Sequence, residues 1–289
     1  MTVLHARAPG KVNLSLFVGA PRADGLHPLV SVVQAVTMAD ELSLAPAPDG
    51  ATGDEVVCPG VEGPNLAGRA LAAFRAATGW DAPPQRLEVL KRVPIAAGMG
   101  GGSADAAAAL RLAAHAAGGA PAALLHELAV SLGADVPSLL APGRVLMSGA
   151  GEHIDVLPAP APFGLVIVPS GHALSTPAVY AAFDRLGGAR DLDELDQRAA
   201  AARAGEPPPP LNDLQDAARA LWPPIDLVLA DVGAAGAHTA MVSGSGPTVF
   251  GLFDDVAAAH AAAGALAARH PGAVAAEPAD AGYAEVRAA

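Results

Sequence analysis

The feature that most constrains this chain is a glycine-rich segment at residues 94–104, between an apolar stretch and an alanine-rich one. Four of its residues, 98 and 100–102, are glycines, which adopt positive φ and let the backbone approach a ligand closely. Ser103 follows at a predicted helix start, where the first N–H groups lack intrahelical acceptors and the helix dipole favours an anion. The segment therefore predicts a phosphate cradle. The alternative is a turn that only lets strand and helix pack.

Two common nucleotide-binding patterns do not fit this segment. A P-loop requires Gly-Lys-Ser/Thr, and Met99-Gly100 does not supply it. The dinucleotide fingerprint lacks the acidic residue that should follow on a second strand, which disfavours an oxidoreductase. A second glycine-rich segment, 243–246, lies between two apolar stretches, and a tight hairpin turn is its alternative interpretation.

Hydrophobic patterning around these segments predicts interleaved strands and helices. Strands are predicted over 2–7, 11–18, 30–36, 41–44, 85–93, 163–169, 240–243 and 248–253. Helices are predicted over 65–78, 104–117, 121–132, 177–186 and 256–269. The mixture favours an α+β architecture of two lobes. We place an N-terminal nucleotide-binding domain at 1–158 and a C-terminal domain at 159–289, because three prolines cluster at the junction.

Composition and charge narrow the functional class. A formal net charge of −12 argues against a nucleic-acid partner, although backbone N–H groups and a few local cations can still hold one nucleotide. Cys58 is the only cysteine, which excludes an intramolecular disulfide and a thiolate metal cluster. The N-terminal residues lack a signal-peptide pattern, and the alanine-rich runs end before the ~18 apolar residues of a membrane span. We therefore expect a soluble, cytoplasmic protein.

Lysine is rare in this chain. Of 17 basic residues only Lys11 and Lys91 are lysines, and the others are arginines. A position that keeps lysine against this bias is a candidate for a site that needs a compact ammonium with movable donors. Chance retention of two surface lysines is the alternative.

Three segments resemble the motifs of the galactokinase, homoserine kinase, mevalonate kinase and phosphomevalonate kinase (GHMP kinase) superfamily. They lie at 8–16, 93–107 and 241–250. Further segments resemble the 4-diphosphocytidyl-2-C-methyl-D-erythritol kinase family of the non-mevalonate (MEP) isoprenoid pathway. These lie at 22–36, 64–66, 132–152, 174–180 and 211–215. The resemblance spans residues 7–253 and implies a two-lobed GHMP-kinase fold, with ribosomal-protein-S5-like β-α-β elements in the first lobe and an α/β second lobe.

The resemblance also implies roles for individual residues. Lys11 and Asp135 match the catalytic pair. Positions that match substrate contacts are Asn13, His27, Tyr180, Ser243 and Gly244, with His27 and Tyr180 at the cytosine ring. Positions that match the ATP site are Asn65, Lys91, Pro94, Ala97, Gly98, Gly100, Gly101, Gly102, Ser103 and Ala104. Both lysines thus fall on matched positions.

Three positions depart from the family pattern. Leu26 stands where the family has tyrosine or phenylalanine, so one face of the cytosine site would be aliphatic. Met99 replaces a leucine. Ala104 replaces a serine, which leaves Ser103 as the only hydroxyl of the loop.

The implied reaction is ATP-dependent phosphorylation of the 2-hydroxyl of cytidine diphosphate methylerythritol. Mg²⁺ is expected with the nucleotide, although no residue is assigned as its ligand beyond a contribution from the Ser103 hydroxyl. We expect neither a nucleic-acid nor a membrane partner, and a monomer or weak homodimer. The alternatives are another superfamily kinase, acting on homoserine or mevalonate, and a catalytically inactive relative. The Gly133–Pro137 signature speaks against the first, and the presence of both Lys11 and Asp135 against the second.

Overall fold

A computed structural model of the chain describes residues 3–95 and 97–289. The predicted strand at 2–7 begins at Thr2 and the predicted loop at 94–104 includes Ala96, and these two residues lie outside the described ones. The strands are β1 (Leu4–Val18), β2 (Leu29–Pro46), β3 (Glu55–Val57), β4 (Gln85–Leu90), β5 (Arg144–Gly149), β6 (His153–Val156), β7 (Gly164–Val168), β8 (Thr239–Val242), β9 (Val249–Phe253), β10 (Val274–Ala276) and β11 (Arg287–Ala288). The helices are α1 (Leu66–Thr78), α2 (Gly101–Ala116), α3 (Ala122–Leu132), α4 (Thr176–Leu186), α5 (Leu192–Arg203), α6 (Gln215–Leu221), α7 (Ile225–Ala234) and α8 (Val256–Leu266). This mixture confirms the α+β class.

The first sheet is built on a long antiparallel pair, β1 and β2. Its strand order is β11-β1-β2-β4-β3, and β5 and β6 extend it from β2. The predicted break at residues 8–10 is wrong, because β1 runs through Pro9 and Gly10 with register shifts at Pro9/Lys11 and Asn13/Ser15. Such irregularities bend a strand and redirect its side chains. Here they flank Lys11 and Asn13, which both reach the cavity described below.

The second sheet has the antiparallel order β10-β7-β9-β8. Every residue of β7 is buried, as expected for a continuous apolar strand at the centre of a sheet. The segment 157–163 joins β6 of the first sheet to β7 of the second, and the domain boundary at 158/159 stays a prediction. The chain then returns to the first sheet, where β11 pairs with β1.

Helix α2 packs along the first sheet and carries the glycine-rich segment at its start. It is buried over most of its length, because its many alanines allow close approach to the sheet and to α1. Phe74 and Leu71 of α1 lie in the same core as Leu110 and Leu112 of α2, and burial of each such side chain contributes about 1.5–3 kcal/mol. The helix begins at Gly101, three residues before the predicted start at 104, because Gly101 and Gly102 continue it after a left-handed Gly100 (φ 66°).

Among residues 3–95 and 97–289, none of the helices combines the length and apolar character that crossing a bilayer requires.

Candidate active site

A cavity of about 910 Å³ lies between the first sheet, the two glycine-rich segments and helix α4. Most of the predicted site residues line it: Lys11, Asn13, His27, Pro94, Ala97, Gly98, Gly100, Gly101, Gly102, Ser103, Asp135, Tyr180 and Gly244. The structure thus brings together residues that the sequence keeps far apart. The predicted residues outside this lining are Asn65, Lys91, Ala104 and Ser243.

The glycine-rich segment forms one wall of the cavity and presents the start of α2 to it. Gly98 and Gly100 have φ of 78° and 66°, values that side chains on L-residues rarely adopt. A Cβ atom on Gly102 would meet nothing within 4 Å, so the first turn of α2 faces open space. Backbone N–H groups at such a helix start, helped by the helix dipole, form an anion site. The geometry suits a nucleotide phosphate.

The second glycine-rich segment, 243–246, packs against the first. The Ser243 hydroxyl donates to the Gly98 carbonyl at 3.0 Å, which explains why this side chain lies outside the lining. Gly244 has φ of 55°, and a Cβ there would lie 3.4 Å from Lys11 Nζ and 3.1 Å from Asn13 Oδ1. The segment is therefore more than a hairpin turn, because its bare backbone leaves room for the side chains from β1.

Lys11 and Asp135 meet at the wall of the cavity. Lys11 Nζ lies 3.7 Å from Asp135 Oδ2 and donates to Asn13 Oδ1 at 2.7 Å. Asn13 Nδ2 in turn donates to the Ser31 hydroxyl at 2.8 Å, so the ammonium is held by a buried polar chain. The lysine side chain is only 5% exposed, whereas that of Asp135 is 35% exposed. A buried cation thus faces a carboxylate that substrate can reach.

His27 and Tyr180 form a second end of the cavity. Their ring centroids lie 4.9 Å apart, and the carbonyl of Gly19 lies 2.8 Å from His27 Nδ1, which identifies Nδ1 as the donor. Burial, with a smaller effect of the Asp135 charge, raises the pKa of Tyr180 to about 12, so the phenol is neutral. Sequence reasoning missed Asp184, whose Oδ1 lies 3.5 Å from His27 Nε2. Its position one helical turn after Tyr180 on α4 is the signal that could have found it.

Leu26 lies at the mouth of this end. Its side chain lines the cavity and the residue is 53% exposed. The aliphatic surface expected from the departure at this position is therefore available to a ligand.

Lys91 belongs to a buried charged cluster below the glycine-rich segment. Its ammonium donates to Asp40 at 2.5 Å and to Asp105 at 2.7 Å, and both carboxylates are buried. Burial raises the pKa of Asp105 to about 7; Lys91 opposes this shift, and Asp40 adds to it. Burial lowers the pKa of Lys91, but the two carboxylates outweigh it and the net change is a rise. A Cβ on Gly101 would lie 3.3 Å from this ammonium, so the cluster supports the phosphate-binding backbone from behind.

The other predicted residues outside the lining have structural contacts of their own. The Asn65 side chain caps α1 by accepting from the Ala67 N–H at 2.8 Å. Ala104 lies in the core between α2 and the first sheet. The expected roles of Asn65, Lys91, Ala104 and Ser243 at the ligands stay predictions.

The fold is that of a GHMP kinase. The profile for the GHMP kinases N terminal domain matches residues 65–143, and the profile for the GHMP kinases C terminal domain matches residues 177–272. At 15% identity, the crystal structure of L. major mevalonate kinase in complex with R-mevalonate shares the fold, with a TM-score of 0.67 over 96% of each chain.

More similar relatives narrow the family. The 4-diphosphocytidyl-2-C-methyl-D-erythritol kinase of Streptomyces coelicolor is 42% identical over 278 residues, covering 91% of each chain. The enzyme of the same name from Thermobifida fusca is 41% identical over 285 residues, covering 92% of each. A crystal structure of a 4-(cytidine 5'-diphospho)-2C-methyl-D-erythritol kinase is 34% identical, with a TM-score of 0.79 over 94% of this chain and 98% of that one. The chain belongs to the 4-diphosphocytidyl-2-C-methyl-D-erythritol kinase family.

Proposed function

We propose that the chain transfers the γ-phosphate of ATP to the 2-hydroxyl of 4-diphosphocytidyl-2-C-methyl-D-erythritol, within the MEP route to isoprenoid precursors. One observation carries the proposal: the Lys11–Asp135 pair, with 3.7 Å between Nζ and Oδ2, lines the same cavity as the glycine-rich helix start. The family supplies the acceptor, since its members are named for it.

The glycine-rich segment holds and orients the triphosphate. Phosphoryl transfer asks a protein mainly for positioning and charge stabilisation. Correct orientation of the two reactants alone supplies about 7–11 kcal/mol of the barrier. Gly102, which faces open space at the start of α2, leaves the N–H donors of the first helical turn uncovered by a side chain of its own.

Asp135 is the base for the acceptor hydroxyl. Its carboxylate takes the hydroxyl proton while the oxygen forms a bond to Pγ, and the bond from Pγ to the β,γ-bridging oxygen breaks to release ADP. The Lys11 ammonium lies beside the carboxylate and stabilises negative charge on the attacking oxygen. The Lys11–Asn13 hydrogen bond fixes the ammonium, so little reorganisation accompanies the reaction.

His27, Tyr180 and Leu26 bind the cytosine end of the acceptor. The Nδ1 proton of His27 points at Gly19, so Nε2, with the Asp184 carboxylate 3.5 Å away, is the polar group available to the exocyclic amine of cytosine. The Tyr180 ring supplies an aromatic face, and Leu26 supplies an aliphatic one. This contact sets the identity of the acceptor at a distance from the reacting hydroxyl.

Mg²⁺ accompanies the nucleotide in this proposal. No group of three or more His, Cys, Asp or Glu side chains is arranged to hold a metal among the residues that the structure describes. The cavity does offer the Ser103 hydroxyl and the Asp135 carboxylate, and these suit a cation held mainly by phosphate oxygens and water. When bound, the ion neutralises charge on the phosphates. We also expect the enzyme to act in the cytoplasm. We expect it to be a monomer or weak homodimer, and sedimentation analysis tests this oligomeric state.

An acceptor panel tests the proposed function. ADP release is measured with ATP and each of three acceptors: the cytidylyl methylerythritol compound, homoserine and mevalonate. Phosphorus NMR of the product then locates the new phosphate. We expect turnover with the cytidylyl compound alone and a phosphate at its 2-position. Turnover with homoserine or mevalonate, and none with the cytidylyl compound, would contradict the assignment of the substrate.

A further inference from the structure

Arg111 of helix α2 connects two chain segments that carry the proposed catalytic pair. Its Nη1 donates to the carbonyl of Leu139 at 2.7 Å and to that of Leu140 at 3.3 Å. Its Nη2 donates to the carbonyl of Arg7 at 2.7 Å. One planar guanidinium thus holds the turn at Pro137–Leu139 and strand β1 at once.

The positions of these carbonyls relative to the pair are symmetric. Arg7 lies four residues before Lys11 on β1, and Leu139 lies four residues after Asp135. The Ser138 hydroxyl donates to the Asp135 carbonyl at 2.7 Å, so the turn that Arg111 holds is itself fastened to the backbone of Asp135. Movement of the turn relative to β1 therefore changes the distance between the Asp135 carboxylate and the Lys11 ammonium.

The contacts of the guanidinium are with backbone carbonyls. Among the described residues Arg111 forms no ion pair, and its Nε is buried without a hydrogen-bond acceptor. Burial lowers the pKa of Arg111 to about 10, which keeps it a cation near neutral pH. A half-buried cation that only carbonyl groups stabilise costs more free energy than an apolar side chain in the same space. The rigid, planar guanidinium instead suits a group that holds two chain segments at a fixed separation, because its two Nη atoms donate to different segments at once. The single ammonium of lysine cannot reproduce this geometry.

We propose that Arg111 is a positioning residue for phosphoryl transfer, which sets the separation of Lys11 and Asp135 by bracing β1 against the turn that follows Asp135. The proposal rests on the function proposed above. It assigns to Arg111 no contact with substrate.

The test compares Arg111→Lys with a matched control, Arg75→Lys. Arg75 also donates to three backbone carbonyls, those of Trp80, Ala82 and Pro83, but it pairs in addition with Asp54 and lies on α1 outside the cavity lining. The single-turnover rate of phosphoryl transfer, the KM for ATP and the unfolding midpoint are measured for both variants and the wild type. A displacement of reacting groups by about 1 Å lowers a rate by about 10²-fold. We expect a loss approaching that size in Arg111→Lys, with little change in KM, and a wild-type rate in Arg75→Lys.

Chemical rescue provides a second, independent measurement. Arg111→Ala removes the atoms that ethylguanidinium would replace, so this cation should restore a saturable part of the transfer rate. Ethylammonium, which lacks the fork, should not. An Arg111→Lys rate equal to that of the wild type, or rescue by both cations alike, would overturn the proposal. If the wild-type protein phosphorylates none of the acceptors, the proposed function is contradicted instead. If the wild-type protein is active and Arg111→Lys is equally active, only the role of Arg111 is contradicted.

Discussion

The two lysines of the chain lie in contrasting environments. Lys11 Nζ lies 3.7 Å from Asp135 Oδ2, and that carboxylate is 35% exposed and lines a large cavity. Lys91 lies between two buried carboxylates at 2.5 and 2.7 Å, outside the lining of the cavity. The same side chain thus occurs once in a loose, accessible pair and once in a tight, enclosed cluster.

The two environments indicate different roles for the two lysines. A carboxylate at 3.7 Å from its cation and open to a ligand keeps oxygen lone pairs free for a substrate proton. A cation saturated by two carboxylates is less available to a ligand, and it ties β2, the end of β4 and α2 together below the phosphate-binding backbone. We infer that Lys11 acts on the reacting atoms and that Lys91 acts through the segment it supports.

Replacing each lysine by methionine should give contrasting phenotypes, one in catalysis and one in stability, and these are the largest effects expected from the two lysine environments. Lys11→Met removes a cation beside the reacting oxygen and should lower kcat by about 10²–10³-fold. Lys91→Met leaves two buried carboxylates without their cation and should reduce the free energy of unfolding by about 3–5 kcal/mol. Steady-state kinetics and urea denaturation of both variants measure the two effects.

Each lysine variant serves as the control for the other. Lys11→Met should retain most of the stability of the wild type, because Asp135 remains partly solvated. A large loss of stability in Lys11→Met, together with near-normal stability in Lys91→Met, would contradict the assignment of Lys11 to catalysis and Lys91 to stability.

Asp105→Asn should change how stability depends on pH. The pKa of Asp105 rises from 3.8 to about 7 in the folded state, so folded protein holds a proton here that unfolded protein releases. Stability therefore falls as pH rises from about 4 to about 7, and the asparagine variant lacks this contribution. Relative to the wild type, Asp105→Asn should gain stability across this interval.

Denaturation midpoints at pH 5, 6, 7 and 8 measure the Asp105 effect. The groups that face Asp105 are Lys91 from the end of β4, Asp40 from β2, and Cys58 after β3. Lys91→Met at the same pH values is the companion variant, because loss of the cation should move the transition to higher pH. Parallel curves for wild type and Asp105→Asn would show that the cluster does not bind a proton in this range.

Tyr180→Leu should have the smallest effect of these substitutions. Tyr180 lines the same cavity as Lys11 and Asp135. Loss of an aromatic face against a nucleobase typically costs about 1–3 kcal/mol. We expect a rise in KM for the cytidylyl acceptor of about 5–150-fold with little change in KM for ATP. Tyr180→Phe keeps the ring and should behave as wild type, and an equal effect of both variants would indicate that the hydroxyl, not the ring, makes the contact.

The catalytic side of the site could be predicted from the sequence because its residues lie in motifs. Lys11, His27, Asp135 and Tyr180 each lie in a segment with a recognisable pattern, and the structure lines one cavity with all of them. Their roles stay predictions. The glycine-rich segment lines the same cavity, and α2 starts three residues before the predicted position, at Gly101.

The residues that support the site from outside the cavity could not be predicted in the same way. Asp40 and Asp105 are single acidic residues in a strand and a helix, and only tertiary packing brings them to Lys91. The contacts of Arg111 likewise join segments more than 25 positions away in sequence. Pro9-Gly10 gave a local break signal, but pairing with β2 on both sides carried the strand through it.

The most direct test of the account is the single-turnover transfer rate of Asp135→Asn with ATP and the cytidylyl acceptor at saturation. Asparagine preserves the shape of the side chain and removes its ability to take a proton, so the rate should fall by about 10²–10⁴-fold while ATP affinity stays close to that of the wild type. A transfer rate near that of the wild type would contradict the assignment of Asp135 as the base and, with it, the catalytic role of its pairing with Lys11.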